Sequence, residues 1–499
     1  MKVKWNYSVM LSPMLFGLFA LLLRLYNLDE KSIWMDEAFT SYHSTFSAYE
    51  LWTQSITTKP PLYYLLTSLF WSPGDGAFAL RLPDAILGSI SVMLSWYLGR
   101  AIAGDRAAFV LALFVLLSDV NLFYSQEARH YILLSVGWLL LLLSLVQMVK
   151  SSDNKDKPCR SHLVLMAVGA IIMVHSHPIA MHYLVASGIA YFSALFIRPG
   201  CNRRFFYQPV IVVLLAGVSV LPWLPVGFES ASTNFNWLKQ PGAGKALFEY
   251  MMLFGSSSLA FLAGKKFAFV VSLFLVALSV TGILYWLVRR DRRTALLLIL
   301  LMLLPPLLIW LTGFFEPMYM LRTIMPSHLI AMTGLALAMT VIKAGWLRIA
   351  GVAVLTVVLG GSSYGYLSHY KKEAWAELSV QLKQTVSAGA AVLVCEEYLY
   401  HPLYFYLHEE MPAVIDLNHR KRRVRIRQTP ADQWQPLYLQ PGNRPPGVIH
   451  VIGRYGRCAG RMEQDLFAIM GNEYKVIDHW QGYKISMATY EINANIYTR

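Results

Sequence analysis

From residue 8 to about residue 367 the chain is a succession of long apolar stretches separated by short polar breaks. A helix needs about 20 mostly apolar residues to cross a bilayer. The pattern predicts eleven spans, near 8–26, 80–99, 107–124, 130–149, 161–177, 179–197, 207–227, 267–288, 294–314, 322–342 and 346–367. The first reads as a retained anchor, because no small-x-small cleavage site follows it. Two further apolar pieces, 60–72 and 247–263, are expected to lie at the interface without crossing.

After residue 368 the period changes. Residues 373–387 read as an amphipathic helix, 390–395 as a buried strand and 402–408 as a short helix. Strands are expected at 413–417, 447–452, 474–480 and 483–490, with a helix at 461–470. Strands interleaved with helices predict a small α/β layer domain. The expected architecture is therefore a polytopic α-helical membrane module, 1–367, whose first outer loop is 27–79, followed by an extracytoplasmic α/β domain, 368–499.

Composition agrees with the pattern. Of 499 residues, 56% are hydrophobic and 14% charged, against roughly 25% charged in an ordinary soluble domain. Mean hydropathy is +0.45. A net charge of +14 would suggest nucleic acid in a soluble protein; here its position along the membrane matters, and no nucleic-acid partner is expected. Basic clusters sit at Lys2/Lys4, Arg100/Arg106, Lys150/Lys155/Lys157/Arg160, Arg198/Arg203/Arg204, Arg289/Arg290/Arg292/Arg293 and Lys343/Arg348. With eleven spans all fall on one side, which the positive-inside rule makes cytoplasmic. Crossing by 247–263 would move the Arg289–Arg293 run to the other side. The multi-pass chain is thus expected in the plasma (inner) membrane, with loops 27–79, 228–266, 315–321 and the tail outside. Of four cysteines, Cys159 and Cys201 fall inside, whereas Cys395 and Cys458 fall outside, where they are either a disulfide or two buried thiols.

The outer loops carry the unusual residues. In 28–52 aromatics recur at Phe39, Tyr42, Phe46 and Tyr49, a stripe expected along the interface. Asp36 and Glu37 open it. They are either an N-cap and a first-turn acid or carboxylates placed for proton transfer. Lys59 precedes Pro60-Pro61, with Tyr63 and Tyr64 as an aromatic belt. Lys59 either snorkels to water or holds a phosphate. Ser125 and Glu127 could cap the fourth span. Lys59, Arg81, Arg129 and Arg322 break the positive-inside pattern, and ionisable groups near spans default to functional hypotheses. Four outer cations beside acids fit an anionic lipid headgroup. His175, His177 and His182 surround one outer turn without zinc-site spacing. The HRKRRVRIR run at 419–427 is an edge strand facing anionic groups or a solvated loop.

The motifs W-x-DEA-F, KPPLYY, RLPDA, YSQEAR-x-Y and P-x-Y-x-x-R follow one another in this order. The chain resembles the GT-C superfamily of polyprenyl-phosphate-sugar glycosyltransferases, in the branch of protein O-mannosyltransferases and lipid A aminoarabinose transferases. The resemblance covers nearly the whole chain. It implies a transferase of the cell envelope that moves a sugar from a polyprenyl-phosphate donor to a hydroxyl of a glycan, lipid or protein, with membrane lipids around it. The family's catalytic aspartate maps onto Asp36, with Glu37 beside it; Lys59, Arg81, Glu127, Arg129, Tyr131 and Arg322 map onto substrate contacts. Relatives often carry His at the Lys59 position and an aromatic where Thr323 stands. No cofactor is implied, although the Asp36–Glu37 pair could recruit a divalent ion. The rival reading, a transporter or lipid flippase, expects polar residues at mid-span and paired broken helices; the spans read as plain.

Overall fold

A computed structural model describes residues 7–54, 56–152, 158–197, 202–231, 239–385, 391–394, 399–408, 413–415, 448–454 and 474–492. The chain divides into two compact units. The first comprises Met1–Leu28, Phe46–Trp71 and Phe78–Tyr370; the second comprises Asp29–Thr45, Ser72–Ala77 and Lys371–Arg499. The Asp36-bearing segment thus groups with the C-terminal residues, whereas the sequence pattern had kept all of 27–79 with the spans.

The first unit is helical. Seven helices among the described residues are long and apolar enough to cross a membrane: Ala77–Ala103, Tyr131–Ser151, Arg204–Gly227, Lys265–Arg289, Arg292–Thr312, Leu321–Val341 and Gly345–His369. Shorter apolar helices occupy Leu11–Leu25, Arg160–Ser176 and Ala180–Phe196, all at expected spans. The spans are less plain than the hydropathy suggested. Asp105–Leu116 and Asp119–Ser125 meet at a bend of 59°, and Ala243–Phe254 and Ser257–Ala263 meet at 93°. The second bent pair covers the 247–263 piece.

Burial locates the core. Tyr131–Ser151 and Leu321–Val341 are each 89% buried, whereas Arg204–Gly227 is 22% and Gly345–His369 17% buried, so the former are central and the latter peripheral. Exposed Leu18, Leu214, Val270 and Val357 belong to apolar helices, as lipid-facing side chains should. Lipid gives helices no hydrophobic reason to associate, so packing depends on close fit. The Tyr131–Ser151 and Arg160–Ser176 helices obtain it by facing glycines: a Cβ on Gly169 would sit 2.6 Å from the Gly137 carbonyl oxygen.

Several ionisable groups are buried in this unit, among them Arg24 and Asp119. Arg24 is buried and donates to Ser125 Oγ (3.2 Å), the Ala20 carbonyl (3.1 Å) and Asn121 Oδ1 (2.5 Å). Asp119, at the 59° bend, accepts through Oδ2 from Ser257 Oγ (2.7 Å), the Ser258 N–H (2.8 Å) and Ser362 Oγ (2.8 Å). Neither was a site candidate from sequence. Arg24 and Asp119 Oδ2 are paired by residues distant in sequence, whereas Asp119 Oδ1 has no hydrogen-bond partner among the described residues.

In the second unit five strands form one sheet: β1 (Ala391–Val394), β2 (Ala413–Ile415), β3 (Val448–Arg454), β4 (Tyr474–Gln481) and β5 (Ile485–Ile492), in the order β2-β1-β3-β5-β4. β1 pairs in parallel with β2 and β3, whereas β5 pairs antiparallel with β3 and β4. The Trp375–Thr385 and Tyr400–Leu407 helices are close to expectation, and Trp375, Leu378, Leu382, Leu403 and Leu407 pack with Val392, Val394 and Ile452. Met35 of the Met35–His43 helix enters the same core. The helix expected at 461–470, the basic run 419–427, Cys201, Cys395 and Cys458 lie outside the described residues. Cys159 is exposed and free.

Candidate active site

The site residues fall in both units. In the second, the Met35–His43 helix has Trp34 as its N-cap, so Asp36 is a first-turn residue and not the cap. Glu37 does the capping: its Oε2 lies 3.4 Å from the Trp34 N–H. Glu37 is completely buried and ion-paired with Lys372 at 2.8 Å, whereas Asp36 is partly exposed. The two neighbouring carboxylates therefore have different surroundings. The expected aromatic stripe is interrupted, because the helix ends at His43 and another begins at Ala48. Phe39 and Tyr42 instead pack on His401, with ring centroids 4.5 and 4.7 Å apart. A cavity of about 290 Å³ in this unit, lined in part by Asp29, Glu30, Asp75, Tyr406 and His408, includes neither Asp36 nor Glu37.

In the first unit, Lys59 is set by its own loop. Its N–H donates to Thr57 Oγ1 (3.2 Å), which meets Tyr64 Oη at 3.0 Å. Pro61 then opens the Leu62–Thr67 helix. Tyr63 and Tyr64 are not a lipid-facing belt but are buried. Tyr63 Oη donates to Asp84 Oδ2 (2.6 Å), and the His130 ring lies 4.6 Å from Tyr63 and 4.9 Å from Tyr64. Arg81 is buried and donates to the Leu28 carbonyl (2.8 Å).

Ser125 and Glu127 do not cap the next helix. Ser125 ends the Asp119–Ser125 helix, and His130 is the N-cap of Tyr131–Ser151. The turn between them is tight, with the Arg129 N–H 2.7 Å from the Glu127 carbonyl, and both side chains are buried. Gln126 fixes the turn by donating to the Arg24 and Tyr26 carbonyls (2.9 and 2.8 Å). Arg322 stands in the short Leu321–Ile324 helix. Thr323, where relatives often carry an aromatic, uses its hydroxyl locally: Oγ1 accepts from the Met320 N–H (3.1 Å) and donates to the Met318 carbonyl (2.8 Å).

These segments converge on His177, which follows the Arg160–Ser176 helix. Burial, and then the charges of Lys59, Arg129 and Arg322, hold its imidazole well below the usual 6.5. Its Nδ1 accepts the Ile179 N–H (3.1 Å), which leaves the proton of the neutral ring on Nε2. Tyr131 and His130 lie against the same ring, at 5.6 and 6.1 Å. Glu127 and Arg322 both act electrostatically on Tyr124, whose ring meets that of Tyr131 at 5.5 Å. The structure thus brings Lys59, Arg129, Tyr131 and Arg322 together, with Glu127 close by. Lys59, Arg129 and Arg322 thus place positive charge around a neutral ring.

Sequence reasoning missed the pairing of Tyr63 with Asp84 and the places of His130 and His177. Asp84 had a signal, an acid inside an apolar span. His177 had none beyond its turn. Its neighbours His175 and His182 hydrogen-bond Ser219 Oγ and Thr312 Oγ1, each at 2.8 Å. Among the described residues, no group of three or more His, Cys, Asp or Glu is arranged to hold a metal ion.

Residues 58–223 match the family described as dolichyl-phosphate-mannose-protein mannosyltransferase. That stretch contains Lys59, Glu127, Arg129, Tyr131 and His177, but not Asp36 or Arg322. The fold is similar to that of ArnT from Cupriavidus metallidurans in the apo state, at 14% identity, covering 95% of this chain and 97% of that one, with a TM-score of 0.61. For ArnT bound to undecaprenyl phosphate the TM-score is 0.57, at 15% identity and the same coverage. The apo oligosaccharyltransferase of Archaeoglobus fulgidus matches at 13% identity and a TM-score of 0.52, over 82% of this chain and 64% of that one. No curated protein sequence gives a match. The family match thus covers part of the first unit, and the structural likeness shows a fold shared with ArnT.

Proposed function

We propose that the chain is an integral-membrane glycosyltransferase that moves a sugar from a polyprenyl-phosphate donor to a hydroxyl of a glycan, lipid or protein, on the extracytoplasmic face. The observation that carries this reading is the convergence of Lys59, Arg129 and Arg322 on the neutral, buried His177. A sugar on a lipid phosphate already has a leaving group. What the enzyme must supply is a hold on the phosphate and activation of the acceptor. The bond from the anomeric carbon to the phosphate oxygen breaks, and its electron pair leaves with the lipid phosphate. Lys59, Arg129 and Arg322 stabilise the charge that builds there, and His177 Nε2–H adds a neutral donor. Asp36 takes the proton from the acceptor hydroxyl as its oxygen bonds to the anomeric carbon. Attack opposite the leaving group inverts that centre. The undecaprenyl phosphate seen in ArnT, a protein of the same fold, supports a polyprenyl donor.

A lipid transporter or flippase gains some ground from the two bent helix pairs and the buried Arg24 and Asp119. One assay separates the two. Proteoliposomes receive polyprenyl-phosphate sugar labelled in the sugar, together with an envelope extract as acceptor. Label appearing in acceptor with inverted anomeric configuration supports transfer. Labelled lipid that changes leaflet with its sugar still attached overturns it.

A further inference from the structure

Asp36 and Glu37 are neighbours on a helix, so their side chains leave the axis about 100° apart, from 3.6 residues per turn. Whatever fixes one therefore fixes the other. Glu37 is fixed on two sides: its Oε2 accepts from Lys372 Nζ at 2.8 Å and lies 3.4 Å from the Trp34 N–H. Both charged side chains are withdrawn from water, at 0% and 2% exposure. A buried ion pair adds little net stability over an apolar pair of the same size, and its best-attested use is to specify register.

The Lys372 anchor is itself tied down. Glu373 accepts from Arg454 of β3, through Nε at 3.0 Å and through Nη2, and from Trp375 Nε1 at 2.8 Å. The Ala374 N–H donates to the Tyr483 carbonyl (3.1 Å). The approach to the Met35–His43 helix is held as well: the Ile33 N–H donates to Tyr406 Oη (2.6 Å) and the Ala376 N–H to Ser32 Oγ (3.0 Å). With both ends of the pair on held backbone, the ion pair acts together with Met35 in the core and Phe39 and Tyr42 on His401 to fix how far this helix is rotated about its own axis.

We propose that Glu37 is a positioning residue and not a second acid or base: its pair with Lys372 sets the direction in which Asp36 presents its carboxylate. This rests on the reading of Asp36 as the general base. The test uses the full chain in proteoliposomes with labelled polyprenyl-phosphate sugar. The variants are Glu37→Gln, Lys372→Met, the double change Glu37→Met with Lys372→Met, Asp36→Asn, and Asp36→Asn with Glu37→Gln. A misplacement of about 1 Å costs roughly 10²-fold in rate, so Glu37→Gln and Lys372→Met should lower kcat by that order. The donor KM and the pH of half-maximal rate should stay where they are, because the same base acts from the wrong place. The double apolar variant should recover its unfolding temperature and keep the low kcat. Added to Asp36→Asn, Glu37→Gln should cost little more. Recovery of kcat together with stability in the double apolar variant would reduce the pair to structural support and overturn the inference. A shifted pH profile in Glu37→Gln would make Glu37 a proton carrier and also overturn it. Wild-type kcat in Glu37→Gln beside an inactive Asp36→Asn overturns the inference and leaves the base assignment standing. An active Asp36→Asn removes the base assignment beneath it.

Discussion

Glu37 and Lys372 stand 335 positions apart in the chain, and their side chains meet at 2.8 Å with neither exposed. One belongs to the loop after the first apolar helix and the other to the segment after the last apolar helix. Breaking such a pair leaves one charge buried alone, which costs about 3–5 kcal/mol, whereas replacing both by apolar residues is often neutral. Lys372→Met should therefore lower the unfolding temperature of the second unit markedly, and the double change Glu37→Met with Lys372→Met should return it to near wild type. Thermal unfolding in detergent, followed at the tryptophans, reads both. Equal losses in the single and double variants would mean that the cavity and not the lone charge is responsible.

His401 gives that unit a pH dependence. Its ring packs on Phe39 and Tyr42, and burial lowers it from 6.5 to about 4. The unfolded chain takes up a proton that the folded chain refuses, so stability falls as pH falls through this window. Above pH 6.5 the imidazole is neutral in both states and contributes no slope. Between pH 6.5 and about 4, the unfolding temperature of wild type should drop more steeply than that of His401→Gln. Parallel curves would show that His401 is not the titrating group.

The periodicity of the chain carried most of the fold. Apolar runs located the helices, and the change of period after 368 located the β1, β3 and β5 strands to within two residues. The breaks at 117–118 and 255–256 were not legible. Hydropathy averages over a window and does not register a bend held by Asp119 and its serine partners. Likewise the order of motifs singled out Lys59, Arg129 and Arg322, because cations on the outer side of the pattern are anomalous. His177 and Lys372 escaped for the opposite reason. A histidine in a turn and a lysine in a Lys-Lys-Glu run are ordinary until contacts distant in sequence show what surrounds them.

Sidedness can be tested directly. Cysteine introduced at residue 240 should react with an impermeant reagent in intact cells, and cysteine at 155 or 290 should not. The basic run around 289–293 fixes this expectation through the positive-inside rule. Labelling at 290 would reverse the parity, bring the 243–263 bent pair across as a true span and move the C-terminal unit to the cytoplasm.

The sharpest prediction separates the base from the cations. Asp36→Asn keeps shape and removes the proton acceptor, so transfer should fall by the roughly 10²–10⁴-fold that general-base catalysis supplies. Helix capping cannot account for such a loss, because the N-cap is Trp34. Donor binding should survive, since the carboxylate serves the acceptor and not the phosphate. Lys59→Met, Arg129→Gln and Arg322→Gln should behave otherwise, each weakening donor binding as well as slowing transfer. All three charges act on His177, and groups that hold one anion fail together, so pairs of these changes should cost much less than the sum of the single losses. Retention of labelled donor by washed membranes measures binding, and single-turnover transfer measures chemistry. Strictly additive losses would mean that the three cations hold different things. Near wild-type transfer in folded Asp36→Asn protein would sink the assignment of the base while leaving the cation cluster intact.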